Sequence, residues 1–334
     1  IEGPMIVLAG PGTGKTQIIA ARIANILETT QMDPHNILCL TFTESGVAAM
    51  RKRLIEMIGT AAYYVRIHTF HSFCNDVIKE CPENFLFASE LEALTDVERV
   101  QIFRAIIRKL TADSPLKPFG APYLYQRDLM HGIQNLKREN IAPDDLTQVL
   151  KQAEDFLKKH GQAVEDCIAI HGNQLKSTDL EAIRQQLTGT PLEYVFAEVS
   201  DFAALEKKAR TQQKNDLKKA YLQMRDQLPK QQELAAVFAA YQAALKKRGR
   251  YDYEDMILFV VRKFREDEQL LARYQEQFQY ILVDEYQDTN SAQNLVVQLI
   301  GEFFDNPNIF VVGDDKQSIY RFQGASLENI LYFY

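Results

Sequence analysis

The chain has 334 residues, 46% apolar and 25% charged, with 38 Lys and Arg against 45 Asp and Glu for a net charge of −7. This is the balance of a soluble globular chain about two domains long. It excludes disordered, collagen-like and low-complexity classes, and an acidic total does not point to a nucleic-acid partner. No apolar run approaches the ~18 residues of a membrane span and no leader pattern opens the chain, so the expectation is a soluble, cytoplasmic protein without membrane contact.

Met5 to Ala9 is a short apolar run with β-branched residues, which passes through a Gly-rich turn into helical spacing over Gln17 to Leu27. Asn36 to Phe42 predicts a buried strand, Val47 to Ile58 a helix, and Tyr64 to Ile67 a further strand running into His68-Thr69-Phe70-His71. Between about Pro82 and Arg250 the character changes to long amphipathic stretches, such as Leu91 to Leu110 and Phe202 to Lys247. Strand signals return at 279–283 and 308–312, each ending in an acidic turn. Strands alternating with helices predict an α/β fold with a parallel sheet covered on both faces. The expected division is therefore a discontinuous domain over 1–82 and 250–334 and a helical insert over 83–249.

Within the insert the charge is uneven: residues 201–250 carry 12 basic against 5 acidic side chains. Such a run is a solvated helix face or a phosphate-facing surface. Arg51, Lys52 and Arg53 share one helix turn and carry the same two readings. The four cysteines lack CxxC spacing and read as buried small apolar residues. His35, His131, His160 and His171 have no partner at ligand spacing.

Three stretches carry chemistry. Ala9-Gly10-Pro11-Gly12-Thr13-Gly14-Lys15-Thr16 fits a relaxed phosphate-binding loop, with Ala9 at the first glycine position. Glycines let successive backbone N–H groups turn inward on phosphate oxygens, Lys15 reaches the β- and γ-phosphates, and the Thr16 hydroxyl suits Mg²⁺. Ile281 to Glu285 is an apolar strand delivering two acids: Asp284 to hold the metal and Glu285 to orient and deprotonate an attacking water. The third strand leads into Val312 to Ala325, where Gln317 could bond a γ-phosphate, and Tyr320 and Phe322 could stack on bases or serve as core.

The ordered blocks AGPGTGKT, LTFTESGVAAM, HTFHSF, YDYEDMILF, VDEYQDTN and VVGDDKQSIYRFQGA resemble the motor of superfamily 1 DNA helicases of the UvrD/Rep/PcrA type. The resemblance covers the two flanking segments closely and the insert by position only. It implies a RecA-like P-loop NTPase domain with a mainly helical insert over the DNA channel, using ATP and Mg²⁺. Lys15 and Thr16 would bind phosphates and metal, with Gln17 beside them, Asp284 the metal, and Glu285 would be the catalytic base. Gln317 would couple the γ-phosphate to the DNA site. Thr41, Phe42, His71, Tyr253, Tyr320 and Phe322 would line a channel for single-stranded DNA. The implied function is ATP-dependent 3′→5′ translocation on single strands and unwinding at duplex junctions, by a monomer.

The chain departs from the family pattern in three places. Gln17 stands where an adenine-stacking Arg is usual, Glu44-Ser45 replaces Asn-Lys, and Phe322-Gln323 replaces Trp-Arg. An upstream adenine-reading glutamine segment and a second RecA-like domain with its arginines are not in this stretch of sequence, which implies weak or no turnover by the chain alone. Two other readings are the motor of a RecB/AddA-like helicase-nuclease and a nucleotide- and DNA-binding module without catalysis.

Overall fold

The computed structural model describes residues 3–10, 12–85, 91–171, 174–197, 199 and 204–314. The chain forms two compact units: 1–99 with 130–141 and 244–334, and 100–129 with 142–243.

In the first unit, five described strands form a parallel sheet: β1 (Met5–Leu8), β2 (Ile37–Thr41), β3 (Arg66–Thr69), β6 (Tyr280–Val283) and β7 (Ile309–Gly313), in the order β1-β7-β6-β2-β3. Their period-2 alternation divides the core. Leu38, Leu40, Ile281, Val283, Ile309 and Val311 point to one face, while Ile37, Cys39, Tyr280, Leu282, Phe310 and Val312 point to the other. Helices cover both faces, which is why β2, β6 and β7 are buried at every position. On the second face lie α1 (Lys15–Thr30) and α2 (Glu44–Ile58), through Ile19, Ile23, Ile26, Met50 and Leu54. On the first face lie α3 (Phe70–Glu80), α9 (Asp255–Glu266), α10 (Glu268–Gln277) and α11 (Ser291–Gly301), through Phe70, Phe73, Val77, Val260, Phe264, Tyr274, Val296 and Ile300.

Helix α2 begins three residues before the expected Val47. The Thr43 hydroxyl accepts the Gly46 N–H at 3.0 Å and Glu44 adds an acid to the first turn, so capping rather than apolar periodicity sets the start. Two short parallel strands, β4 (Glu92–Ala93) and β5 (Arg250–Tyr251), pair within this unit. Two-residue strands carry no periodicity, and none was expected there. All four cysteines are free and buried.

The remaining helices are α4 (Asp96–Lys109), α5 (Gln126–Arg138), α6 (Pro143–Ala169), α7 (Ser177–Leu187) and α8 (Lys207–Arg248). In the second unit, Phe156, Val164, Leu180, Ile183, Leu187, Leu217 and Tyr221 form an apolar cluster of α6, α7 and α8. Gly161 permits the close approach: a Cβ there would lie 3.1 Å from the Tyr221 hydroxyl. No helix among the described residues is long and apolar enough to cross a membrane.

Candidate nucleotide site

Strands β1, β6 and β7 deliver their carboxyl ends to one edge of the sheet, where open α/β sheets bind ligands. Gly12 (φ +72°) and Gly14 (φ +88°) take left-handed backbone conformations, which L side chains resist. Gly14 is the N-cap of α1 and contributes no side-chain cap, and the first turn of α1 holds no acid. The orphan N–H groups and the positive end of the helix dipole thus face a site suited to an anion.

Four candidate residues converge there. The Lys15 ammonium, only 8% exposed, lies 2.5 Å from Glu285 Oε2. Thr16 Oγ donates to Asp284 Oδ2 at 3.2 Å. These pairs join positions 268 to 270 residues apart because β1 and β6 both flank β7. Ala9 anchors the loop by donating its N–H to the Gly313 carbonyl at 2.9 Å, and Gly10 accepts from the Thr13 hydroxyl at 2.7 Å. Gln17 is exposed, its N–H returned to the Gly14 carbonyl.

The site carries more acid than base. Burial, then the neighbouring Glu285 charge, raises the Asp284 carboxyl, while the Glu285 N–H, the Thr16 hydroxyl and Lys15 pull the other way. The Asp288 carboxyl is pushed up to about 6 by burial and Glu285, against Lys15, and its Oδ1 is buried without a hydrogen-bond partner. Three acids around one lysine leave the site with an excess of negative charge that attracts a cation. No group of three or more His, Cys, Asp or Glu among the described residues could hold one unaided, so such a cation would complete its shell with phosphate oxygens and water, as Mg²⁺ characteristically does.

The strand-channel candidates are differently placed. His71, its side chain 15% exposed, stacks on Tyr253 with centroids 3.7 Å apart, and Tyr253 is 55% exposed. Phe42 is 37% exposed, whereas Thr41 is buried. Glu44, where the family pattern has Asn, accepts the Thr69 hydroxyl at 3.1 Å, and its charge with that of Glu254 adds to burial in raising the Tyr253 phenol. Arg51 contradicts both of its sequence readings: its guanidinium donates to the carbonyls of Ala62 (2.8 Å) and Val65 (3.3 Å), closing the turn before β3. Pro11, Gln317, Tyr320 and Phe322 lie outside the described residues.

Sequence reasoning passed over the group that seats Tyr253. Lys137, fully buried at the end of α5, lies 2.6 Å from Asp252 and 2.7 Å from Asp255. Arg138 and Gln134 donate to Glu254 at 2.9 and 3.0 Å. The available signal was an acid on each side of Tyr253 next to an apolar run, which surface turns also show.

The family described as UvrD/REP helicase N-terminal domain matches residues 1–334. The chain belongs to this family. Among its relatives, a protein named ATP-dependent DNA helicase PcrA from Staphylococcus epidermidis is 28% identical over 332 residues, 99% of this chain and 34% of the relative. A PcrA of the same description from Staphylococcus aureus is 27% identical over the same span. The chain thus covers about a third of the length of the curated relatives it matches. In this UvrD/REP N-terminal domain the glycine loop after β1 and the acidic pair after β6 lie at the same carboxyl edge of one parallel sheet, on either side of β7.

Proposed function

We propose that the chain is the ATP-binding part of a motor that moves along single-stranded DNA, 3′→5′, and opens duplex junctions. The observation that carries this reading is the convergence of Lys15 and Thr16 with Asp284 and Glu285 at one sheet edge. Membership of the UvrD/REP family and the names of its relatives support it.

Lys15 and the backbone N–H groups of Gly12 to Thr16 would receive the triphosphate of ATP, and Lys15 would leave Glu285 to do so. Thr16 and Asp284 would hold Mg²⁺, which when bound neutralises charge on the phosphates. Released from the ammonium, Glu285 would orient water and take its proton as the oxygen attacks the γ-phosphorus. Gln317 would connect the γ-phosphate to the strand. Thr41, Phe42, His71, Tyr253, Tyr320 and Phe322 would line the strand's channel, with Tyr253 stacking on bases over the His71 ring behind it; stacking suits movement along any sequence because every base has a π-face. Within this reading, 1–82 and 250–334 form the motor domain and 83–249 is the helical insert, of which 83–99, 130–141 and 244–249 belong to the same compact unit as the motor domain. A motor of this kind works in the cytoplasm as a monomer, and arginines from the rest of the protein would complete its site.

ATP turnover by the full-length protein and binding of a fluorescent ATP analogue, with and without oligo(dT), test the proposal. Glu285→Gln should lower kcat by about 10²-fold or more while retaining binding, and Lys15→Ala should lose binding. Unchanged turnover in Glu285→Gln would refute the assignment.

A further inference from the structure

Gln287, 3% exposed, lies in the single 3-10 turn Tyr286–Asp288 that follows β6. Its amide has a polarity set by its partners. The Asp314 backbone N–H can only donate, so Gln287 Oε1 accepts from it, at 3.0 Å. Nε2 therefore faces the Glu285 carboxylate, which only accepts, and donates to Oε2 at 2.6 Å. Gly313 fits this contact, since a Cβ there would meet Gln287 Oε1 at 2.9 Å and the Gln287 backbone N at 3.3 Å.

These bonds close a ring through the site. The Ala9 N–H binds the Gly313 carbonyl, Asp314 binds Gln287, Gln287 binds Glu285, and Glu285 binds Lys15, six residues beyond Ala9. Glu285 has a left-handed backbone (φ 51°), costly for a side-chain-bearing residue. Its N–H is turned back to Asp284 Oδ1 at 3.0 Å. Lys15 and Gln287 both donate to its carboxylate, and Lys15 is the one a triphosphate would draw away.

We propose that Gln287 is a positioning residue for hydrolysis: it holds the Glu285 carboxylate in register with the end of β7 once Lys15 has turned to phosphate. This rests on the reading of Glu285 as the base.

The test uses the full-length protein, with ATP turnover measured with and without oligo(dT) and nucleotide affinity measured separately. Gln287→Met should lower the DNA-stimulated kcat about tenfold or more, with KM and affinity for the ATP analogue within about twofold. In a Glu285→Gln background, Gln287→Met should add no further loss, because it acts through a carboxylate that is already gone. Gly313→Ala, which presses on the same bond without altering either partner, should reduce kcat in the same selective way and decides the matter if Gln287→Met does not fold. If Glu285→Gln abolishes turnover but Gln287→Met or Gly313→Ala leaves kcat unchanged, or if the losses multiply in the double variant, the role of Gln287 is overturned and the base stands. Full turnover in Glu285→Gln would instead overturn the base itself.

Discussion

Replacing Lys137 by Met tests the seat of Tyr253. Met nearly matches the lysine stem in volume, so the change removes a charge rather than opening a cavity. It leaves the Asp252 and Asp255 side chains, 9% and 6% exposed, facing each other without their shared cation. Breaking a buried ion pair from one side costs about 3–5 kcal/mol. Reciprocal bonds from the Asp252 N–H to Asp255 (3.0 Å) and the Asp255 N–H to Asp252 (3.2 Å) keep some solvation for both carboxylates, so the lower end, about 3 kcal/mol, is expected. At about 2–4 °C per kcal/mol for a unit of about 200 residues, melting should fall by about 6–12 °C. The carboxyl of Asp255 is already raised by burial, with Asp252 adding and Lys137 opposing. Without Lys137 the Asp255 carboxyl rises further, the penalty applies above its unfolded range near 4, and it eases as the proton returns. Unfolding by urea and heat, followed by circular dichroism at pH 7.5 and 5, should therefore show the gap to wild type narrowing at the lower pH. Asp252→Asn and Asp255→Asn added to Lys137→Met should recover most of the loss, and oligo(dT) affinity should weaken in the single variant. A loss below about 1 kcal/mol at pH 7.5, or a gap indifferent to pH, would refute the reasoning.

Gly14→Ala places a Cβ 3.7 Å from that of Gln17, without a clash, but at φ +88°; a strain of about 1–2 kcal/mol should weaken ATP-analogue binding by about tenfold in a fluorescence titration. Gly46→Ala puts a Cβ 2.5 Å from Thr41 Oγ, so β2 or the start of α2 must shift, and urea unfolding should register a loss of about 1–3 kcal/mol. Burial, reinforced by Arg138, holds His71 down at about 4. The native imidazole therefore binds fewer protons than the unfolded one, whose pKa is near 6.5, and stability should fall as pH drops from about 6.5 to 4. The slope of melting temperature against pH in that window should flatten in His71→Gln, and an unchanged slope would remove His71 as its source.

Much of the sheet in the first unit was legible in the sequence because its central strands are buried on both faces and so read as unbroken apolar runs. Ile37 to Thr41, Tyr280 to Val283 and Ile309 to Gly313 appeared this way, and Met5 to Leu8 reads as an apolar run although it lies at the sheet edge with both ends exposed. The start of α2 at Glu44 did not, since a cap is a single hydrogen bond and leaves no period. Arg51 looked like any basic residue on a helix, and only the turn folded beneath it supplied the carbonyls that occupy it.

For the candidate site the division is the same. The local order of residues determined the glycine loop, the lysine and threonine after it, and the paired acids after an apolar strand, because each depends on neighbours within a few positions. Tertiary structure alone decided that Lys15 meets Glu285, that Gln287 ties Glu285 to β7, and that Lys137 lies between Asp252 and Asp255 beside Tyr253. These contacts join residues from 27 to 270 positions apart or turn on the orientation of one amide. Strand order in the sheet and burial of charge create them, and neither is written in the spacing of residues along the chain.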